Sequence, residues 1–325
     1  MIVLRDGEVD PAWSEPSVVT IGVFDGLHRG HQAVIAQLIE LSKQYNALST
    51  VVTFDPAPAM VLAPAKAPSL LATLDQRLEG LDALHVDRVR IITFNEALES
   101  ESARHFIERV LVGELHTRCV VVGEDFHFGH HREGTVVMLR DVGALLGFDV
   151  APTPLYGDPE RWSSTSVRRA LRDGDLVGAE RVLGHHFALR GEVAHGDERG
   201  KSLGYPTANL TVAPHQALPG DGVYAGATCI GERWWAAAIS VGTRPQFYEH
   251  GDLLVEVHVP GYDGNLYHRN LEVVFLERLR AQMTFSSVEE LATQIELDVV
   301  KTHQIFEERT SSDAKLLTWR LGQRR

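Results

Sequence analysis

Residues 22 to 31 read GVFDGLHRGH, with His28 and His31 three apart, Gly26 and Gly30 beside them and Asp25 just before. Histidines at that spacing share one face of a helix and can both donate hydrogen bonds to one phosphate. The apolar SVVTIGVF (17–24) reads as a buried strand ending at Phe24. The glycines let the backbone turn and be approached closely, and a helix beginning near His28 leaves its first N–H groups free for an anion. Half of a metal site and a pair of solvated histidines are the competing readings. The metal needs further ligands, and HFGHH at 127–131 matches no common spacing. Strand end, paired glycines and helix start together favour the anion.

Two more stretches offer groups to phosphate. RWSSTSVRRAL (161–171) sets Ser164 and Thr165 at a helix start, with Arg161 and Arg168 adding charge; alone, such a pattern is more often a plain cap. In GDERGKSLGYPTANL (196–210), Gly196, Gly200 and Gly204 permit a loop that wraps phosphates through backbone N–H groups. The Thr207 hydroxyl and Asn209 amide oxygen are hard ligands suited to Mg²⁺, and Pro206 fixes the turn. In LLVEVHV (253–259), alternation puts Val255 and Val257 on one face and Glu256 on the other, which pattern alone makes a solvent face.

These groups need a scaffold. SVVTIGVF, LSTVVTF (48–54), DRVRIITF (87–94) and RCVVVG (118–123) read as strands. Val34, Leu38 and Leu41 recur at helical spacing, and SARHFIERVLV (102–112) reads as a further helix. Strands alternating with helices predict an α/β parallel sheet covered on both faces. From about residue 186, GVYAGATCI, WWAAAISV, LLVEVHV and LEVVFLERL follow one another across turns, which predicts a compact antiparallel β-barrel. SSVEELATQIELDVV closes the chain as a helix, with Ser286 and Glu289 in capping-box spacing and Val288, Leu291, Ile295 and Val299 on one stripe. The glycine of VLGHHF (182–187) sets the expected boundary, giving domains 1–184 and 185–325.

Composition agrees with two cores: 325 residues, 44% hydrophobic, are ample for two domains. A formal charge of -13, with acids spread along the chain, argues for a soluble protein without duplex nucleic acid as partner. Cys119 and Cys229 lie far apart in apolar runs, which reads as reduced, buried thiols in a cytoplasmic protein. No signal peptide and no membrane-spanning run is recognisable. Oligomeric state, including a homo-oligomer, stays open.

The HxGH at 28–31 resembles the phosphate-binding motif of the nucleotidylyltransferase superfamily, and the whole of GVFDGLHRGH resembles the bacterial bifunctional riboflavin kinase/FMN adenylyltransferases, or FAD synthetases. RWSSTSVRRAL is similar to their ISSTxxR element, and GDERGKSLGYPTANL to the riboflavin kinase signature. The resemblance implies a nucleotidylyltransferase-like domain followed by a riboflavin kinase-like barrel, converting riboflavin to FMN and FMN to FAD with ATP and Mg²⁺. It implies catalytic roles for His28 and His31, and ATP contacts from Gly22, Phe24, Asp25, Gly26, Gly30, Arg161, Ser164, Thr165 and Arg168. On this resemblance two helix N-termini converge on one triphosphate. Gly196, Gly200 and Gly204 would hold ATP in the kinase, Thr207 and Asn209 the metal, and Glu256 would be the base.

VVVGEDFHFGHHREG (120–134) resembles the segment forming the flavin pocket, which implies flavin contacts from Asp125, Phe126 and Phe128; a capped turn and core packing fit them equally well. Arg280 and Phe285 match positions near the flavin, and a salt bridge and core packing explain them as well. The chain departs from the family at TFDPAPAM (53–60), where Ala57 and Ala59 replace a histidine and an arginine. It also departs at RPQFYEHG, through Gln246 and Tyr248, and at LYHRN, where His268 replaces a glycine. Two rivals follow: a riboflavin kinase with a silent first domain, and a flavin- or nucleotide-sensing protein without turnover.

Overall fold

The computed structural model describes residues 1–8, 11–154, 156–157, 162–195, 204–243 and 253–312. Contacts group the chain into two compact units, one of residues 1–68 and 74–162, the other of 69–73 and 163–325.

The first unit contains strands β1 (Ile2–Leu4), β2 (Ser17–Ile21), β3 (Leu48–Phe54), β4 (Arg88–Ile92), β5 (Thr117–Gly123), β6 (His127–Phe128), β7 (Gly134–Thr135) and β8 (Asp149–Thr153). Its helices are α1 (Arg29–Gln44), α2 (Pro58–Leu62), α3 (Leu74–Ala83), α4 (Glu96–Glu99), α5 (Ala103–Phe106) and α6 (Val136–Leu146). Six strands form a parallel sheet in the order β1-β4-β3-β2-β5-β8, while β6 and β7 make a small antiparallel ribbon.

Parallel strands covered on both faces must be apolar throughout, and β2 and β4 are wholly buried. The two arginines of β4 are therefore paired: Arg88 donates to the Glu15 and Pro16 carbonyls and Ser17 Oγ, and Arg90 bonds Asp6 and Glu114. The chain after β2 goes to β3 and β4 on one side and returns to β5 on the other. Loops leaving β2 and β5 thus part at the carboxyl edge of the sheet, the place where such folds hold ligands.

Three expectations shift here. β2 stops at Ile21 rather than Phe24, because Phe24 takes a left-handed conformation that no strand allows. In α1 the buried residues are Ile35, Leu38 and Ser42, since the helix packs on β2, β3 and β5 and is covered over a wide arc. The expected helix at 102–112 is α5 running on into a π-helical stretch, Ile107–Glu114.

The second unit opens with α7 (Ser164–Arg172) and α8 (Leu176–Leu183), which ends as expected at Gly184, φ 80°. Strands β9 (Ala188–Ala194), β10 (Thr207–Val212), β11 (Gly222–Ile230), β12 (Arg233–Thr243), β13 (Leu253–His258) and β14 (Asn270–Arg280) follow. They close into an antiparallel barrel in the order β10-β13-β12-β11-β14-β9. The segment 69–73 belongs to this unit: Leu70 donates to His215 O (2.7 Å) and accepts from Ala217 N (2.8 Å), while Arg168 Nε donates to Ser69 O.

Helix α9 (Val288–Ser312) packs on β11, β12 and β14, with Ile305 against Ala225, Ala227, Val274 and Leu276. Its cap lies one residue later than expected: Ser287 Oγ accepts the Glu290 N–H, and the Glu290 carboxylate accepts the Ser286 N–H. Of the expected stripe, Leu291, Ile295 and Val299 are half-buried. Val288 is exposed, and the buried face runs through Asp298, Thr302 and Ile305, because Arg280 holds the Asp298 carboxylate with two nitrogens at 3.0 and 2.8 Å.

Candidate functional site

GVFDGLHRGH leaves the carboxyl end of β2 and enters α1. Phe24 (φ 55°), Gly26 (φ 75°) and Leu27 (φ 44°) all lie in the left-handed region, and Phe24 and Leu27 pay a conformational cost there. At Gly30 space is tight, since a Cβ there would stand 3.1 Å from the His28 ring. At Gly22 a Cβ would meet the Phe24 ring at 3.1 Å. Asp25 is buried within the same turn.

His28 is the N-cap of α1 rather than its first residue, and its Nδ1 accepts the His31 N–H at 3.3 Å. An accepting Nδ1 leaves the proton on Nε2, so the ring keeps one donor. The His28 and His31 rings stack 3.6 Å apart, and the Phe24 ring meets His31 edge-on at 5.2 Å. Burial, then the charge of His28, holds the His31 pKa well below the ordinary imidazole value. His31 Nδ1 is buried without a partner among the described residues. Among those residues no group of three or more His, Cys, Asp or Glu could hold a metal ion.

The loop after β5 carries Asp125, exposed, and the stacked rings of Phe126 and Phe128, 5.4 Å apart. Both rings line a cavity of about 360 Å³ together with Phe54, Phe94 and Phe106, and His127, His130, His131 and Arg132 also border it. Such a cavity takes a flat aromatic ligand. Pro58, from the TFDPAPAM segment, and Leu62, just after it, form part of its wall.

One residue of this loop's support escaped the sequence reading. Arg77 of α3 is buried, and its Nη1 donates to Val23 O at 2.8 Å and Thr53 Oγ1 at 3.2 Å. Its position on the stripe Leu74, Arg77, Leu81 was the available signal, a cation where the helix should be apolar.

In RWSSTSVRRAL, the capping residue is Ser163, in a capping box with Ser166, so Ser164 and Thr165 sit in the first turn. Arg168 is tied to the Ser69 carbonyl. Arg161 lies outside the described residues, as do Gly196, Gly200, Gln246 and Tyr248.

In the barrel, Asn209 of β10 stands directly opposite Glu256 of β13, and Thr207 opposite His258. Directly paired residues project to one side, so all four share a face, while Ala208, Leu210, Val255 and Val257 are buried on the other. Asn209 Oδ1 is buried without a partner among the described residues. Thr207 also lines a cavity of about 420 Å³ with Val193, Val257, Tyr262 and Tyr267. Gly204 (φ 84°) shapes the entry to β10. His258 was missed by the sequence reading; its Nδ1 meets the Pro206 carbonyl at 2.8 Å, and burial lowers its pKa. Arg280 serves Asp298, with its guanidinium 5.8 Å from the Phe285 ring.

Comparison with known proteins bears on both units. The family model for FAD synthetase matches residues 10–166, and that for riboflavin kinase residues 183–306. The bifunctional riboflavin kinase/FMN adenylyltransferase of Escherichia coli K12 is 38% identical over 294 residues, covering 90% of this chain and 93% of its own. This chain belongs to that family. The relative from Pseudomonas fluorescens, also a bifunctional riboflavin kinase/FMN adenylyltransferase, is 41% identical over 87% of this chain and 90% of its own. The fold is shared with a crystal structure named a macrolide-efflux protein from Streptococcus pneumoniae, with TM-score 0.83 and 27% identity over 93% of this chain and 99% of that one.

The family's two activities run in the order of the two matched regions. Two of the departures from its usual sequence lie among the described residues. Ala57 is buried as the N-cap of α2, and His268 keeps φ 61°, the left-handed conformation that the customary glycine takes freely. Among the described residues no helix is long and apolar enough to cross a membrane.

Proposed function

We propose that this bifunctional enzyme performs its two reactions through the groups assembled above, with the functional boundary near residue 184. The barrel phosphorylates riboflavin with ATP. Glu256 takes the proton of the ribityl hydroxyl as that oxygen attacks the terminal phosphorus, and ADP leaves. The residues beside it fit Mg²⁺: Asn209 offers an amide oxygen buried without a partner among the described residues, on the same strand face as Thr207 and across from a carboxylate. When bound, the ion neutralises phosphate charge. The observation that carries this reading is the facing pair Asn209 and Glu256, because an orphaned buried oxygen costs stability unless something uses it.

The sheet unit adenylylates FMN. The FMN phosphate attacks the α-phosphorus of ATP and pyrophosphate departs, a step that needs placement and charge neutralisation rather than a protein nucleophile. His28, through Nε2–H, and His31 donate toward the phosphates at the N-terminus of α1, with Gly22, Phe24, Asp25, Gly26 and Gly30 shaping the loop. The first-turn groups of Ser164 and Thr165 and the charge of Arg168 are assigned to nucleotide phosphate. The aromatic cavity holds the isoalloxazine ring of FMN between Phe126, Phe128 and their neighbours, with Asp125 a polar contact at its edge. Arg280 and Phe285 are assigned to the flavin of the kinase. Far-apart thiols outside any disulfide support a cytoplasmic location.

Incubation with riboflavin, ATP and Mg²⁺, and in parallel with FMN in place of riboflavin, tests the assignment by chromatography of the flavins. FAD is expected in both. Accumulation that stops at FMN would leave a kinase with a silent first domain, and no product would leave a sensor.

A further inference from the structure

Arg77 is bonded to the phosphate loop but is remote in sequence from every motif. It is 2% exposed, and burial lowers its pKa against the pull of Asp25 and Asp55. Its Nε is buried without a partner among the described residues. A guanidinium serving packing alone is a poor choice at such a position, since apolar side chains of similar volume fill it at less cost. What it touches is specific. Val23 O, at 2.8 Å from Nη1, is the last carbonyl before the left-handed Phe24.

A trans peptide points its N–H opposite to its C=O. Tying the Val23 carbonyl to α3 therefore turns the Phe24 N–H away from α3, and that N–H has no backbone acceptor among the described residues. We infer that Arg77 is a positioning residue for adenylyl transfer: through the Val23 carbonyl it holds the Phe24 amide and the left-handed turn in the shape that receives the nucleotide phosphates. The inference rests on the assignment of ATP to this loop. Arg88 provides the contrast. It is equally buried and equally bonded to carbonyls, but at the amino end of β4, the opposite edge of the sheet.

The test compares Arg77→Met, Arg77→Lys and Arg88→Met in the full chain, measuring KM for ATP and for FMN in FAD formation, riboflavin phosphorylation in the same preparations, and melting temperature. Arg77→Met is expected to raise KM for ATP by roughly tenfold or more, the effect of losing a charge-assisted hydrogen bond. KM for FMN and the kinase rate should stay near wild type, and Arg77→Lys should recover part of the loss. Arg88→Met should lower the melting temperature and leave KM for ATP alone. The inference falls if Arg77→Met changes KM for ATP no more than Arg88→Met does, or raises both KM values together. Should Arg77→Met not fold, Arg77→Lys decides, and an unchanged KM for ATP overturns the inference. Wild-type protein that makes FMN but no FAD would overturn the ATP assignment itself.

Discussion

Asn209 and Glu256 face each other across the β10–β13 ladder, an amide oxygen with no partner among the described residues opposite a carboxylate. The proposed metal ligand and general base are thereby held at one rung of a closed barrel, where neither strand can slide without breaking the ladder.

Glu256→Gln should lower the kinase kcat by about 10²–10⁴-fold, the usual worth of a positioned base, and leave FAD formation from FMN intact. Parallel assays with riboflavin and FMN check this. An unaltered kinase rate would remove Glu256 from the mechanism.

Asn209→Ala should separate activity from stability. The kinase should need at least ~tenfold more Mg²⁺ for half-maximal rate, as expected when a metal's environment loses a polar group. The melting temperature should hold or rise, because the substitution removes a buried unpaired acceptor that costs about 1–3 kcal/mol. A marked fall in melting temperature with unchanged Mg²⁺ demand would make Asn209 structural.

His31 makes the sheet unit acid-sensitive. The unfolded chain protonates this histidine near 6.5, and the folded chain only well below that. The unfolded state then binds more protons, so the His31 contribution is fully present above about pH 6.5 and is lost as pH falls toward the folded pKa. Melting curves between about pH 5 and 8 should slope less for His31→Asn than for wild type. Equal slopes would mean that the ring is hydrated in the folded protein.

Cys119 should resist alkylation. Burial, then the charge of Asp149, pushes its thiol up to about 11, which leaves about one thiolate in a thousand at pH 8. Mass spectrometry after a brief iodoacetamide pulse should find label on the partly exposed Cys229 first, and on both thiols in urea.

Both architectures were legible because each period was clean: unbroken apolar runs spaced by helices in the first unit, and turn-punctuated strands in the second. The turn between β2 and α1 stood out as a candidate because its residue types are rare together. The misreadings lie where polar groups take apolar positions. Asp298 occupies the buried stripe of α9 only because Arg280 neutralises it, and Arg77 sits on the buried face of α3 only because Val23 O receives it. No hydropathy pattern can anticipate a partner distant in sequence. His258 was hidden differently, since facing Thr207 is a matter of register, and register appears only once strands pair.

The short segment 69–73 has a genetic consequence. Its flanks belong to the first unit, yet Leu70 bridges to His215 and Ala217, and Ser69 receives Arg168. A gene severed between Trp162 and Ser163 would encode a barrel half deprived of those partners. The second unit is therefore built from two stretches of sequence, and recombination at that joint would leave the shorter stretch behind.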